Sequence, residues 1–224
     1  MSTLKGFAQA LPPSHRRGSP NAELHIGELD PSDQTCCPGF VPRRDRSPDA
    51  WTPNLSWVTD TLAVGGRFPA ERAEALAREH AVRAIVDLRS EDRDDEKVLR
   101  HHGVTLLHLP TDDHHGVSQP MLEDGVAFVR PFLDRGERVL VHCEHGIGRS
   151  ATLALCVLVS QGHEPLEALE LAKTRRGLIS PSPAQYHAWT EWLARFARES
   201  RAGWEIPSFD AFKAIAYRHL QPVT

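Results

Sequence analysis

The residues best suited to catalysis lie in one segment that runs from His142 to Ser150, with the sequence HCEHGIGRS. In this segment Cys143 is followed after five residues by Arg149 and then by a hydroxyl residue. The apolar run Arg138–Val141 before it predicts a buried strand, and the run Ala151–Val159 after it predicts a buried helix. A strand, a tight loop and a helix in this order can surround a phosphate with backbone N–H groups at the positive end of the helix.

Each residue type in this segment has a chemical use with a phosphate ester. Cys143 is the expected nucleophile, because helix-end amides and a nearby cation favour the thiolate over the thiol. Arg149 offers a planar fork that binds two phosphoryl oxygens. Gly146 and Gly148 let the backbone turn sharply and bring its amides close to the ligand. Ser150 can donate a hydrogen bond to the sulfur of Cys143 when that sulfur departs in a second step.

The segment resembles the signature of the cysteine-dependent protein phosphatases, in particular their dual-specificity branch, which reads His-Cys-x-x-Gly-x-x-Arg-Ser/Thr. All five fixed positions match. The resemblance implies a phosphoric monoester hydrolase that works through a phosphocysteine, needs no cofactor or metal, and binds its substrate in a CX5R loop. It gives His142 a structural role, in which the imidazole orients the Cys143 backbone. The expected substrate-binding residues are Glu144, His145, Gly146, Ile147, Gly148 and Arg149.

The Cys–Arg spacing by itself is also compatible with proteins of different function. The pair could be a buried core cysteine followed by chance by an arginine. Rhodanese-like proteins and small phosphatases with an N-terminal loop share the spacing, but in the latter the loop comes early, whereas here it follows most of the strands. A phosphate-binding pseudophosphatase without turnover is a different class of function, and the presence of Cys143, Arg149 and Ser150 speaks against it.

A general acid is expected about thirty residues before the cysteine, because an alkoxide or phenoxide leaving group needs a proton in the transition state. The segment Leu109–Gly116, LPTDDHHG, resembles the acid loop of the family. Asp113 is favoured because family loops of the form Pro-x-x-Asp align with it, and Asp112 is the alternative. A solvated turn or helix-cap carboxylate is the competing interpretation of either residue.

The remaining sequence predicts an α/β fold with a central, mostly parallel sheet flanked by helices, because strands and helices alternate. The resemblance implies the protein tyrosine phosphatase-like architecture of dual-specificity type. Both the aspartate loop and the cysteine loop follow strands, so both should lie at the C-terminal edge of the sheet, where ligands bind. Strands or hairpins are predicted at Leu55–Gly66, Ala84–Leu88, Val104–Leu109 and Arg138–Val141. Helices are predicted at Pro69–His80, Glu91–His102, Gln119–Arg135, Ala151–Val159, Pro165–Arg176, from Ser182 onward, and Ser208–Leu220.

The length of 224 residues suits one catalytic domain, predicted at residues 51–200, with extensions on both sides. Residues 1–50 are rich in proline and are expected to be extended or partly ordered, either docked on the domain or serving as a linker. Residues 201–224 are expected to form a C-terminal extension with a short helix. Cys36 and Cys37 lie in the N-terminal extension and are expected to be incidental thiols, with redox protection of Cys143 as the alternative.

Composition limits the partners and the location. A formal charge of −4 gives no general attraction to nucleic acid or to an anionic membrane, and no segment is long and apolar enough for a membrane span. The N-terminus lacks a convincing signal peptide, and four cysteines without a disulfide framework favour the reducing cytoplasm. The pairs His101-His102 and His114-His115 lack a third ligand and do not predict a metal site.

The expected partner is a phosphorylated protein or a small phosphomonoester, since Glu144 beside the pocket should repel a highly charged inositol lipid. Phosphatases for a lipid, sugar or nucleotide phosphate are the alternative. The sequence leaves open the oligomeric state and the preference between phosphotyrosine and phosphoserine or phosphothreonine.

Overall fold

The computed structural model describes residues 51–220 as five strands and seven helices. The strands are β1 (Leu55–Trp57), β2 (Leu62–Gly65), β3 (Val82–Arg89), β4 (Thr105–Thr111) and β5 (Arg138–His142). The helices are α1 (Ala73–Arg78), α2 (Glu96–His101), α3 (Gln119–Asp134), α4 (Arg149–Ser160), α5 (Pro165–Arg175), α6 (Pro183–Ser200) and α7 (Phe209–Ala216). Two 3₁₀ turns, Ala70–Arg72 and Arg218–Leu220, precede α1 and follow α7.

The strands form one sheet in the order β1-β2-β5-β3-β4. Only β1 runs antiparallel to its neighbour, and the other pairs are parallel. The mostly parallel α/β sheet predicted from the sequence is therefore confirmed. Strand β5 is central, and its last residue, His142, is in register with Gly65 of β2 and Asp87 of β3. The segment that begins at Cys143 thus leaves the middle of the sheet at its C-terminal edge.

The sheet is buried on both faces because apolar side chains occupy both sides of its central strands. On β5, Val139 and Val141 pack on one face with α3 to α7, whereas Leu140 packs on the other face with α1 and α2. This alternation follows from the two-residue period of a strand. Helix α4 is buried from Arg149 to Val159. A helix that is apolar on all sides belongs in the interior. This burial fixes the position of the start of α4 at the C-terminal edge of the sheet.

The helix predicted over Glu91–His102 begins later than expected, at Glu96. The side chain of Asp95 caps it by accepting hydrogen bonds from the amides of Lys97 and Val98, at 2.9 and 3.1 Å. Residues 91–95, here called the acidic loop, instead run across the C-terminal edge of the sheet. They leave the helix because several of their carboxylates bind cationic side chains of neighbouring elements.

The C-terminal helix α7 packs against the catalytic region. Phe212 is fully buried, the hydroxyl of Tyr186 donates to the carbonyl of Pro207 at 2.8 Å, and the amine of Lys173 donates to the carbonyl of Ala216 at 2.7 Å. Among the described helices, none is both long and apolar enough to span a bilayer. The predictions for residues 1–50, which include Cys36 and Cys37, lie outside the described residues.

Candidate active site

The thiol of Cys143 lies at the end of β5 and at the start of α4. Its backbone amide donates to the carbonyl of Gly65 at 3.3 Å, which continues the parallel pairing of β2 and β5 by one residue. The side chain is buried, with 3% of the residue exposed. Its sulfur accepts from the amide of Gly146 at 3.3 Å and lies 3.3 Å from the hydroxyl of Ser150. The sulfur therefore faces backbone and hydroxyl donors at the positive end of a helix.

This environment lowers the pKa of the Cys143 thiol below its ordinary value. Burial by itself raises that pKa, but hydrogen bonds from the Ser150 side chain, the Ser150 amide and the Gly146 amide lower it, as does the charge of Arg149. These donors outweigh burial because they stabilise the thiolate directly. Cys156, the other described cysteine, lies deep in α4, where burial raises the pKa of its thiol.

The loop after Cys143 keeps its shape through one glycine and one arginine. Gly146 has a φ of +71°, and a Cβ at that position would lie 2.4 Å from the carbonyl carbon of Gly65. From the turn after α5, Arg176 donates to the carbonyls of Gly146 and His145 at 2.7 and 2.9 Å. By holding these two carbonyls, Arg176 fixes the turn in which the Gly146 amide donates to the Cys143 sulfur.

The guanidinium of Arg149 is buried and has one free N–H group. Its two terminal nitrogens donate to the two carboxylate oxygens of Glu91 at 2.7 and 2.8 Å, and one of them also donates to the carbonyl of Thr111 at 2.8 Å. The other lies 3.3 Å from a carboxylate oxygen of Asp113. The Nε atom has no hydrogen-bond partner among the described residues, although only 1% of Arg149 is exposed. A buried donor without an acceptor is costly, so this N–H is available for an anionic ligand.

Sequence reasoning missed Glu91. The hydrogen bond from Arg149 lowers the pKa of its carboxyl to about 2, so Glu91 is an anion throughout the physiological range. The one available signal was its position just beyond the C-terminal end of a parallel strand, at the edge where ligands bind.

The two candidate acids point to different partners. Asp113 lies beside Arg149 and lines the cavity at Cys143, whereas Asp112 accepts a hydrogen bond from the hydroxyl of Ser90 at 2.6 Å. The loop that carries them is tied to α6, because the hydroxyl of Ser182 donates to the carbonyl of His114 at 2.7 Å. Of the two carboxylates, only that of Asp113 is placed to exchange a proton with a ligand in the cavity.

A cavity of about 170 Å³ lies at Cys143 and Asp113. Its lining residues are Asp113, His114, Cys143, His145, Ile147, Gly148, Ser180 and Gln185. The carboxylate of Glu144 is not among them and instead pairs with Arg67 at 2.7 Å. The sequence-based argument that Glu144 repels a highly charged substrate assumed a carboxylate at the cavity, and the carboxylate of Glu144 does not line it. A larger cavity of about 250 Å³ is lined by residues such as Phe68, Arg93 and Val98 and does not include Cys143.

His142 is fully buried beneath the cysteine. Its Nε2 lies 2.8 Å from Asp94, and its Nδ1 lies 3.4 Å from the carbonyl of Cys143. Asp87, Asp94 and His142 are also the one group of metal-ligand residue types in the described range whose ligand atoms cluster. The guanidinium of Arg89 donates to both carboxylates and already supplies a positive charge there, so we assign no metal to this group.

The family model and similar curated proteins point to the same family. The model described as the dual specificity phosphatase catalytic domain matches residues 67–195, more than half of the chain. Mouse dual specificity protein phosphatase 2 is 38% identical over 76 residues, which cover 33% of this chain and 24% of that protein. Human dual specificity protein phosphatase 5 is 30% identical over 126 residues, which cover 54% of this chain and 31% of that protein. The chain thus spans about a quarter to a third of the length of these curated relatives.

Two solved structures share the fold along nearly their whole chains. Tk-PTP in its active form has a TM-score of 0.59 and 25% identity, covering 64% of this chain and 98% of that chain. PTPMT1 in complex with PI(5)P has a TM-score of 0.60 and 25% identity, covering 64% and 96%. Residues 67–195, which match the family model, contain the cysteine loop, the aspartate loop and the acidic loop. By the match to that family model, the chain belongs to the dual specificity phosphatase family.

Proposed function

We propose that the chain is a cysteine-dependent phosphomonoester hydrolase that acts on a phosphorylated protein through a phosphocysteine. The observation that carries the proposal is the unpartnered, buried Nε–H of Arg149 beside a thiol whose pKa is lowered. The cavity at Cys143 offers a nucleophile and, in Asp113, a proton source. The phosphate-binding donor, Arg149, lies behind this lining, 3.3 Å from the carboxylate of Asp113. These are the groups that displacement at phosphorus requires.

In the first step the thiolate of Cys143 attacks phosphorus. The S–P bond forms as the bond from phosphorus to the leaving oxygen breaks, and protonated Asp113 gives its proton to that oxygen. The Nε–H of Arg149 and the terminal N–H that lies beside Asp113 hold two of the three phosphoryl oxygens, and the loop amides hold the third.

In the second step water attacks the phosphocysteine. Asp113, now a carboxylate, accepts the proton from water, and inorganic phosphate forms as the S–P bond breaks. The hydroxyl of Ser150, 3.3 Å from the sulfur, donates to the departing thiolate. Both steps use only groups of the protein and no cofactor.

The alternative substrate is a lipid, sugar or nucleotide phosphate. PTPMT1, whose structure holds PI(5)P, shares the fold at 25% identity, and the carboxylate of Glu144 binds Arg67 rather than lining the cavity. We keep this alternative for that reason. Parallel assays of a phosphotyrosine peptide, a phosphothreonine peptide and a phosphoinositide at equal concentration distinguish the classes by their kcat/KM values.

Two further parts of the proposal concern the setting of the domain. We place the catalytic domain at residues 51–200, and α7 of the C-terminal extension packs into its core through Phe212 and Ala216. We place the protein in the cytoplasm, a proposal supported by the thiols of Cys143 and Cys156, which form no disulfide among the residues that the structure describes.

The first test is hydrolysis of p-nitrophenyl phosphate from about pH 4.5 to about pH 8, with and without EDTA. We expect a bell-shaped, EDTA-resistant profile for the wild type and for Cys156→Ala, and no turnover for Cys143→Ser. Because the pKa of Cys143 is lowered, the thiolate limb should lie below the ordinary thiol range. Binding of vanadate without hydrolysis by the wild type would instead support a phosphate-binding pseudophosphatase.

A further inference from the structure

The acidic loop contains one carboxylate that reaches the nucleophile through another side chain. Asp94 is nearly buried, with 5% of its side chain exposed, and its Oδ2 lies 2.8 Å from Nε2 of His142. The other ring nitrogen, Nδ1, lies 3.4 Å from the carbonyl oxygen of Cys143. His142 therefore connects the carboxylate of Asp94 to the backbone of the cysteine.

Both nitrogens of His142 face groups that can only accept a hydrogen bond. A neutral imidazole carries one N–H and can satisfy one such acceptor, whereas an imidazolium satisfies both. The second oxygen of Asp94 accepts from Arg89 at 2.6 Å, and the Asp94 amide donates to Asp87 at 3.0 Å, so this carboxyl group is fixed in place. A doubly protonated His142 therefore makes a hydrogen bond at each ring nitrogen, whereas a neutral imidazole leaves one of the two contacts without a proton.

The local charges lead to the same conclusion. The charged groups that face His142, within the part of the chain that the structure describes, are Asp94 from the acidic loop and Asp87 and Arg89 from β3. Arg89 pairs with both buried carboxylates. Two buried carboxylates and one guanidinium leave one negative charge, and a protonated His142 balances it.

We propose that Asp94 is a positioning residue that holds His142 as an imidazolium and thereby stabilises the thiolate of Cys143. The ring of Phe68, with its centroid 5.3 Å from that of His142, covers the imidazole. A cation in such an enclosed site acts strongly on a neighbouring thiolate because little water screens it.

The pKa of His142 shifts in the same direction. Burial lowers it, but the hydrogen bond with Asp94 and the charges of Asp94 and Asp87 outweigh burial and the repulsion from Arg89, so the pKa is raised. Replacing Asp94 by asparagine removes the largest of these stabilising contacts and leaves the side-chain shape. The imidazole then loses its proton, so the positive charge of the ring and the negative charge of Asp94 are lost together. Because Nδ1 faces the Cys143 backbone while Asp94 lies at Nε2, the lost cation is the nearer of the two to the cysteine, and the thiolate is destabilised.

The test measures the thiol and needs no substrate, so its outcome is independent of the proposed phosphatase activity. The full chain is treated with iodoacetamide over a range of pH, and alkylation of the Cys143 peptide is followed by mass spectrometry. For Asp94→Asn we expect the midpoint to rise by about one pH unit, which lowers the thiolate fraction below the midpoint roughly tenfold.

Asp92→Asn is the matched control. Asp92 lies in the same loop and pairs with the same Arg89, but 66% of its side chain is exposed and it does not contact His142. We expect this variant to have the wild-type midpoint. An unchanged midpoint in Asp94→Asn, or an equal shift in both variants, overturns the proposal.

A measurement on the wild type decides the matter if Asp94→Asn does not fold. Nitrogen-15 NMR of histidine-labelled protein at about pH 7 should show both ring nitrogens of His142 protonated, because Asp94 holds the second proton. A neutral tautomer of His142 at that pH contradicts the proposal regardless of the behaviour of the variant.

Discussion

The loop from Cys143 to Ser150 and the acidic loop meet at the same edge of the sheet, but they are built differently. In the proposed site the cysteine loop acts through its own backbone, as the Gly146 amide does on the Cys143 sulfur, so its glycines, cysteine and arginine need a fixed spacing along the chain. The acidic loop acts through single carboxylates that reach across space, with Glu91 on Arg149 and Asp94 on His142. A site made from backbone therefore leaves a motif in the sequence, whereas its side-chain support does not.

Among variants of the cysteine loop, Arg149→Lys should cause the largest loss of activity. An ammonium cannot reproduce the fork that meets Glu91 and two phosphoryl oxygens at once. We expect kcat/KM for p-nitrophenyl phosphate to fall roughly 100- to 1,000-fold. The thiol should still be alkylated in this variant. Activity within a factor of about two of the wild type would mean that Arg149 does not hold the phosphoryl group.

The aspartate loop gives a second comparison, because Asp112 and Asp113 are adjacent and chemically equal. Asp113→Asn should lower kcat roughly 100-fold for a poor leaving group such as phenyl phosphate, and less for p-nitrophenyl phosphate. Asp112→Asn is the control and should keep nearly full activity, since its carboxylate binds Ser90 away from the cavity. The reverse pattern would assign the acid to Asp112.

The acidic loop should show a smaller effect, because its carboxylates orient groups without touching the substrate. Glu91→Gln replaces a bidentate anion on Arg149 with a neutral amide, and we expect kcat/KM to fall roughly tenfold. The limbs of the pH profile should not move, because the pKa of Glu91, at about 2, lies below the assay range.

Asp95→Asn is the matched control for Glu91→Gln. It lies in the same loop but only caps α2, and asparagine caps a helix as well as aspartate does. It should leave kcat/KM unchanged. If Asp95→Asn lost as much activity as Glu91→Gln, the effect would belong to the shape of the loop and not to the Glu91–Arg149 contact.

The sequence predicted the fold because its strands and helices carry strong local signals. The apolar run before Cys143 became β5, and Gly103 and Gly136 follow α2 and α3 with positive φ, as expected for helix ends. The predicted start of α2 at Glu91 was wrong, because the helix begins at Glu96. A polar stretch such as Glu91–Asp95 has the local pattern of a solvated helix, and two of its actual partners, Arg149 and His142, lie 58 and 48 residues away from Glu91 and Asp94.

The site was predictable to the extent that it is local. The cysteine loop could be located from its spacing, but Glu91 contacts an arginine 58 residues away, and no local pattern indicates that contact. The choice between Asp112 and Asp113 also depended on the fold. Adjacent residues point to different sides of the chain, and the contact between Asp112 and Ser90 spans 22 residues.

The most direct test of a covalent mechanism is to trap the phosphocysteine. Ser150→Ala removes the hydroxyl 3.3 Å from the sulfur and should slow the second step more than the first. This variant is mixed with p-nitrophenyl phosphate, quenched in acid and digested for peptide mass spectrometry. We predict one phosphoryl group on the peptide that contains Cys143, and none in Cys143→Ser. Continued release of p-nitrophenol with an unmodified Cys143 would contradict a covalent mechanism at this residue.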